Sequence, residues 1–88
     1  MKHFVYLIIN YHNNKFTTYV GYTNNIKNRL KLHNSSKGAK FTKGRKWKII
    51  YKKGYNTKTE AMQNEFKLKK DRLKREKFKN IFKFKYNL

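Results

Sequence analysis

From His3 to Asn10 the chain reads HFVYLIIN, a run of β-branched and aromatic residues that predicts a buried strand. YHNNK (11–15) interrupts the run with two adjacent asparagines, which tolerate left-handed dihedrals, and so predicts a turn. FTTYVGY (16–22) is then the returning strand of a hairpin. Gly21 falls inside that strand, where a glycine marks a bulge or a close approach by another group. Thr23 or Asn24 can cap the helix that follows, and Ser35, Ser36 and Gly38 end it. Within that helix Ile26, Arg29, Leu30 and His33 share one stripe at i, i+3, i+4, i+7 spacing. An arginine and a histidine therefore sit on the face that ought to pack.

GAKFTKGRK (38–46) predicts a basic loop with two glycines, and WKIIYKKGY (47–55) a third strand. Thr57-Lys-Thr-Glu60 fits a capping box and opens a second helix carrying Ala61, Met62, Glu65, Phe66 and Leu68. The remainder begins as a very basic helix and ends with Phe78, Ile81, Phe82, Phe84 and Tyr86 interleaved among lysines. Phe78, Phe82, Phe84 and Tyr86 have three readings: a dimer interface, a surface for stacking bases, or the edge of the core. With no linker or internal repeat, the expected fold is α/β (α+β), a small single domain over residues 1–88. Its three-stranded antiparallel sheet is flanked by helices in the order β-β-α-β-α-α. The core spans about residues 3–70, and a basic aromatic helix or tail about residues 71–88.

Charge changes this picture most. The chain carries 24 Lys+Arg against 4 Asp+Glu, a formal net charge of +20. Such a chain repels itself and favours a polyanion, with nucleic acid the leading partner because bound phosphates release condensed counterions. An anionic membrane is the weaker option, since no long apolar helix or lipidation signal is present. The absence of cysteine excludes disulfides, thiolate zinc sites and iron–sulfur ligation. FVYLII is far shorter than a signal h-region or a membrane span. The chain is therefore expected to stay where it is made, in the cytoplasm or associated with the nucleus or nucleoid. The abundance of Lys, Asn, Ile and Tyr also fits an AT-rich genome, so part of the charge has a compositional explanation.

The candidate chemistry lies in few residues. Arg29 and His33, one turn apart, can converge on one oxyanion: the guanidinium offers a fork of donors and the imidazole gives or takes a proton. The alternative is a solvated pair of no consequence. Glu60 serves the capping box, and Asp71 and Glu76 have basic neighbours to pair with on their helix. Glu65 lies mid-helix between Ala61 and Leu68 and needs a cation: either a hard divalent ion or a lysine such as Lys69. Tyr6 and Tyr19 are packing residues on one reading. On the other, a phenol acts as general base where neighbouring cations favour its phenolate, a condition so basic a chain readily meets.

Val5-Tyr6-Leu7, Tyr19-Val20-Gly21, Thr23, Arg29 and His33-Asn34 together resemble the GIY-YIG nuclease superfamily, in particular its small stand-alone members similar to the UvrC N-terminal domain. Gly-Ala-Lys-Phe-Thr (38–42) and Glu60-Ala61, Glu65 and Lys69 extend the likeness over about residues 3–70. The first triplet lacks its usual glycine but keeps the tyrosine. The resemblance implies Tyr6 as general base for the attacking water and Tyr19 as positioning water or phosphate. It implies Gly21 as permitting backbone approach, Arg29 as steadying the scissile phosphate, and His33 as acting in proton transfer. Glu65 would hold a single divalent cation, Mg²⁺ or Mn²⁺. A late asparagine of the family has two counterparts, Asn80 and Asn87.

The function expected is a metal-dependent DNA endonuclease, selective for branched, flapped or nicked DNA (Holliday junctions among them) in repair or recombination. Lys40, Lys43, Arg45, Lys46, Lys69 and Arg72 would bind the nucleic acid, and cutting a four-way junction symmetrically would require a homodimer. The rival expectation is a non-catalytic basic RNA-binding module.

Overall fold

The computed structural model describes residues 2–86, the last of them by its backbone alone. It contains β1 (His3–His12), β2 (Lys15–Thr23), α1 (Ile26–Asn34), β3 (Lys48–Tyr55), α2 (Lys58–Lys70) and α3 (Arg72–Tyr86), with one 3₁₀ turn at Lys40–Thr42. The expected order β-β-α-β-α-α is the observed one. The antiparallel sheet runs β2-β1-β3, which puts the most apolar strand in the middle.

The hairpin turn is tighter than the composition of residues 11–15 suggests. Asn13 and Asn14 alone make it, with φ of 52° and 63°, the left-handed pair that a two-residue turn between twisted strands requires. The ladder therefore continues through Tyr11↔Phe16 and His12↔Lys15. Asn25, rather than Thr23 or Asn24, caps α1, its side chain accepting from the Asn28 N–H at 3.0 Å. Thr23 is buried and folds the approach to that cap, its hydroxyl accepting the Asn25 N–H at 3.1 Å. At α2 the Thr57 hydroxyl accepts the Glu60 N–H at 3.1 Å, as a capping residue should. Glu76 pairs with Lys79 at 3.7 Å as expected, whereas Asp71 serves as a cap. It interrupts the long basic segment and caps α3, accepting the Lys74 N–H at 3.0 Å.

Alternation along β1 divides the core in two. Val5 and Leu7 join Val20, Ala61 and Leu68 under α2 and α3. Tyr6 and Ile8 join Trp47, with Ile26 and Leu30 of α1 packed against them. A bulge between Leu7 and Ile8 on the β3 side pairs Leu7 with Tyr51 and Ile8 with Ile49. Ile50 and Tyr51 then both pack on the α2–α3 side. Of the tail aromatics, Phe78 packs on that apolar cluster and its ring meets Tyr51 at 4.7 Å. Phe82 is half-buried beside Phe16, while Phe84 is exposed. Among the described residues no helix is long and apolar enough to cross a membrane.

Candidate active site

The α1 face of the sheet holds a buried polar chain. Tyr6 projects from the central strand toward α1, only 2 % exposed, and its hydroxyl lies 2.7 Å from His33 Nε2. Arg29, one turn before His33, donates from Nε to the same hydroxyl at 3.5 Å. His33 is fully buried, and its Nδ1 lies 2.8 Å from the Thr42 hydroxyl. The Tyr19 ring meets the imidazole edge-on at 5.4 Å and stacks on Phe41 at 5.9 Å. The stripe of Ile26, Arg29, Leu30 and His33 thus turns its two apolar members to the sheet and its two polar ones to Tyr6.

Two glycines make this possible. Gly21 is the register partner of Tyr6, and a Cβ there would overlap the Tyr6 hydroxyl and ring. The β1–β2 ladder is unbroken at that point, so the group that closely approaches Gly21 is the phenol of Tyr6. A Cβ on Gly38 would likewise overlap His33 Nδ1. The loop from Gly38 to Thr42 is built around the imidazole, with the 3₁₀ turn delivering the hydroxyl. Asn34 anchors the end of that loop, accepting the Trp47 N–H at 2.6 Å and donating to the Trp47 carbonyl at 3.2 Å.

Burial decides the protonation states. It pushes the Tyr6 phenol above its ordinary value of 10.0, and the Arg29 hydrogen bond and charge oppose that rise without cancelling it. The abundant lysines do not create a phenolate here, because they are solvated while the phenol is not. Burial and then the Arg29 charge hold His33 below its ordinary 6.5. At neutral pH the pair is therefore a neutral phenol beside a neutral imidazole.

Glu65 approaches from α2, on the other side of the sheet, and is half-buried. Its charge reaches Tyr6, where it adds to the rise of the phenol. Of the two cations weighed for it, Lys69 is present, pairing with it at 3.5 Å. Among the described residues no three His, Asp or Glu side chains converge on a metal position. A lone carboxylate fits Mg²⁺ or Mn²⁺, ions that keep several waters and complete their shell with substrate phosphate oxygens. An open groove of about 320 Å³ runs past Thr18, Tyr19, Val20, Phe41, Lys69 and Arg75.

Of the basic candidates Lys69 lines this groove, and Lys40, Lys43, Arg45 and Lys46 lie on the loop. Lys40, Lys43, Arg45, Lys46 and Arg72 are exposed, with the Arg45 guanidinium 5.2 Å from the centre of the Phe41 ring. Asn80 is exposed on α3 and takes no part in the Tyr6–His33–Thr42 chain, and Asn87 lies outside the described residues. The sequence places Gly38 at the end of α1, and Asn34 and GAKFT (38–42) within the resemblance, without giving Asn34, Gly38 or Thr42 a role at the site; it does not single out Arg75. Nothing local marks Arg75, whose Nε donates to the Leu68 carbonyl at 3.1 Å.

A family model for the GIY-YIG catalytic domain matches residues 2–80. A UPF0213 protein of Oceanobacillus iheyensis is 41 % identical over 69 residues, 77 % of each chain. One from Bacillus velezensis is 40 % identical over 79 residues, 88 % of this chain and 77 % of the relative. The solution structure of a UPF0213 protein from Bacillus halodurans, 35 % identical, aligns over 92 % of this chain and 85 % of its own with a TM-score of 0.48. With the match spanning nearly the whole chain, the protein belongs to the GIY-YIG catalytic domain family, a family of endonucleases, and to its small UPF0213 branch.

Proposed function

We propose that the protein is a metal-dependent endonuclease that hydrolyses DNA phosphodiester bonds, with Tyr6, Tyr19, Arg29, His33 and Glu65 as its working residues. The observation that carries the reading is the buried Tyr6–His33 contact, 2.7 Å long, with Arg29 on the same hydroxyl. As the attacking water loses a proton to the Tyr6 oxygen, Tyr6 passes its own proton to His33 Nε2. The phenol works as a relay and need not exist as a phenolate. Arg29 contributes only Nε to Tyr6 among the described residues, and its remaining guanidinium donors stay available to a phosphate oxygen. Tyr19, on the edge strand between His33 and the groove, positions the water or phosphate. Glu65 would hold the Mg²⁺ or Mn²⁺, which when bound polarises the phosphate and stabilises the leaving oxygen.

Substrate selection follows from what surrounds this site. The loop Lys40–Lys46, Lys69 and the face of α3 starting at Arg72 offer charge but little with which to read base edges in a groove. Shape-selective cutting of branched, flapped or nicked DNA, in repair or recombination, fits that better than recognition of a sequence. Binding should weaken steeply with salt, and six or more phosphate contacts give a log–log slope of about −5.

The deciding assay follows supercoiled plasmid and flapped or four-way oligonucleotides with Mg²⁺, with Mn²⁺ and with EDTA. Glu65→Gln should bind DNA as the wild type does while single-turnover cleavage falls about 10³-fold, since metal stabilisation of the transition state amounts to several kcal/mol. Glu60→Gln keeps the helix cap and serves as the control. Undiminished cleavage by Glu65→Gln refutes the metal assignment. A wild type that binds every substrate and cuts none is a binding module.

A further inference from the structure

We propose that Thr42 is the positioning residue that fixes the tautomer of His33, keeping its proton on Nδ1 so that Nε2 is free to accept from Tyr6. The tautomer stands on hydrogen-bond geometry alone; its consequence for catalysis rests on the nuclease reading above.

Counting protons at the two ends of the imidazole decides between tautomers. The Thr42 hydroxyl has one proton and meets three partners: the Ala39 carbonyl at 2.9 Å, the Ala39 N–H at 3.1 Å and His33 Nδ1 at 2.8 Å. When the hydroxyl donates to the Ala39 carbonyl, one lone pair takes the Ala39 N–H and the other takes Nδ1–H. All three contacts are then hydrogen bonds. The other end of the ring gives the same answer. Tyr6 Oη already faces the Arg29 Nε–H. Were Nε2 protonated, the phenol oxygen would face two donors, and its own buried proton would have no acceptor among the described residues. An unpaired buried donor is costly, and with Nδ1–H the protons of Tyr6, His33 and Thr42 each have an acceptor.

The loop that carries Thr42 is shaped for this one bond. Gly38 leaves room for the ring where a Cβ would overlap Nδ1, and the 3₁₀ turn Lys40–Thr42 brings the hydroxyl to it. Thr42 is itself fully buried, so water does not substitute for its oxygen. Arg29, Tyr6 and Tyr19 are the charged and titratable groups facing His33, and none of them offers Nδ1 an acceptor. The chain of donors runs from Tyr6 through His33 and Thr42 to the Ala39 carbonyl, each proton with one defined owner.

The test pairs a spectrum with a rate. Long-range ¹H–¹⁵N spectra of the labelled full chain at neutral pH should show His33 with a protonated Nδ1 and an unprotonated Nε2. Thr42→Val keeps the shape and removes the acceptor, so the Nε2–H form should grow. Single-turnover cleavage in Mg²⁺ should fall about 10²-fold with DNA affinity in Ca²⁺ unchanged, as when an acid–base group is misdirected. Thr42→Ser should restore both spectrum and rate. A wild type with Nε2–H overturns the proposal, as does Thr42→Val with an unaltered spectrum or Thr42→Ser without rescue. The wild-type spectrum decides even where Thr42→Val does not fold. A protein that shows Nδ1–H yet cuts no nucleic acid refutes the nuclease reading and leaves the tautomer assignment standing.

Discussion

Tyr6 and Leu7 are adjacent in the chain, equally buried, and belong to different kinds of core. Leu7 faces α2 and α3 among Val5, Val20, Ala61 and Leu68, where contact is all that matters and no group needs a particular orientation. Tyr6 faces α1 within a hydrogen-bonded chain that links it to Arg29, His33 and Thr42. The apolar side can lose a methylene and relax. The polar side tolerates neither a missing proton nor a shifted ring. On one strand, Val5 and Leu7 pack under α2 and α3, while Tyr6 and Ile8 face α1.

The comparison is broken most sharply by substituting the two neighbours. Tyr6→Phe removes one oxygen and should cut single-turnover cleavage by about 10²–10⁴-fold, the scale of a lost acid–base group. It should cost only about 1–3 kcal/mol of stability, from the His33 nitrogen left unpaired. Leu7→Ala should do the reverse, costing about 2–5 kcal/mol in urea unfolding while each folded molecule keeps its activity. If Leu7→Ala slows cleavage as much as Tyr6→Phe does, the two faces are not separable.

Gly21→Ala comes next, because it places a methyl group in the space of the Tyr6 phenol. Overpacking should cost about 1–3 kcal/mol, with cleavage falling further than stability explains because the phenol leaves His33. Pairing it with Tyr6→Phe in a double-mutant cycle checks the cause: the effects on cleavage should be strongly non-additive.

Phe78→Ala tests how far the apolar side extends. Phe78 is half-buried against Tyr51, so a loss of about 2 kcal/mol is expected, somewhat below that of a fully buried phenylalanine. Phe84→Ala, at a ring 70 % exposed, should leave the denaturation midpoint unchanged.

The smallest effect is the pH dependence of stability. His33 is held below its ordinary 6.5 in the folded state, so below that pH the unfolded chain binds the extra proton. The contribution of His33 is complete above pH 6.5 and is lost as pH falls through the lowered folded value. Tyr6 acts at the other end, being raised in the folded state from 10.0, so its contribution is complete below pH 10 and is lost as pH rises further. Thermal melts of wild type from pH 5 to 7.5 should rise and level off, and His33→Asn should flatten that rise.

Local rules made much of the fold legible in the residues themselves. The apolar run of β1, the turn at Asn13-Asn14 and the cap at Thr57 act over a few residues, and sequence displays such signals directly. It also nominated Tyr6, Arg29 and His33 one by one, from a stripe and a resemblance. What it did not contain was their mutual geometry. Tyr6 and His33 are 27 residues apart and meet only because α1 packs on the even side of β1. Of the two readings of Tyr6, burial opposes the one in which cations favour its phenolate, and a count of charges carries no information about burial. Thr42 was visible only as the last residue of the segment GAKFT, with no role attached to it. Only the packed loop, with Gly38 clearing space and Ala39 fixing the direction of its proton, makes its hydroxyl the acceptor that orients His33.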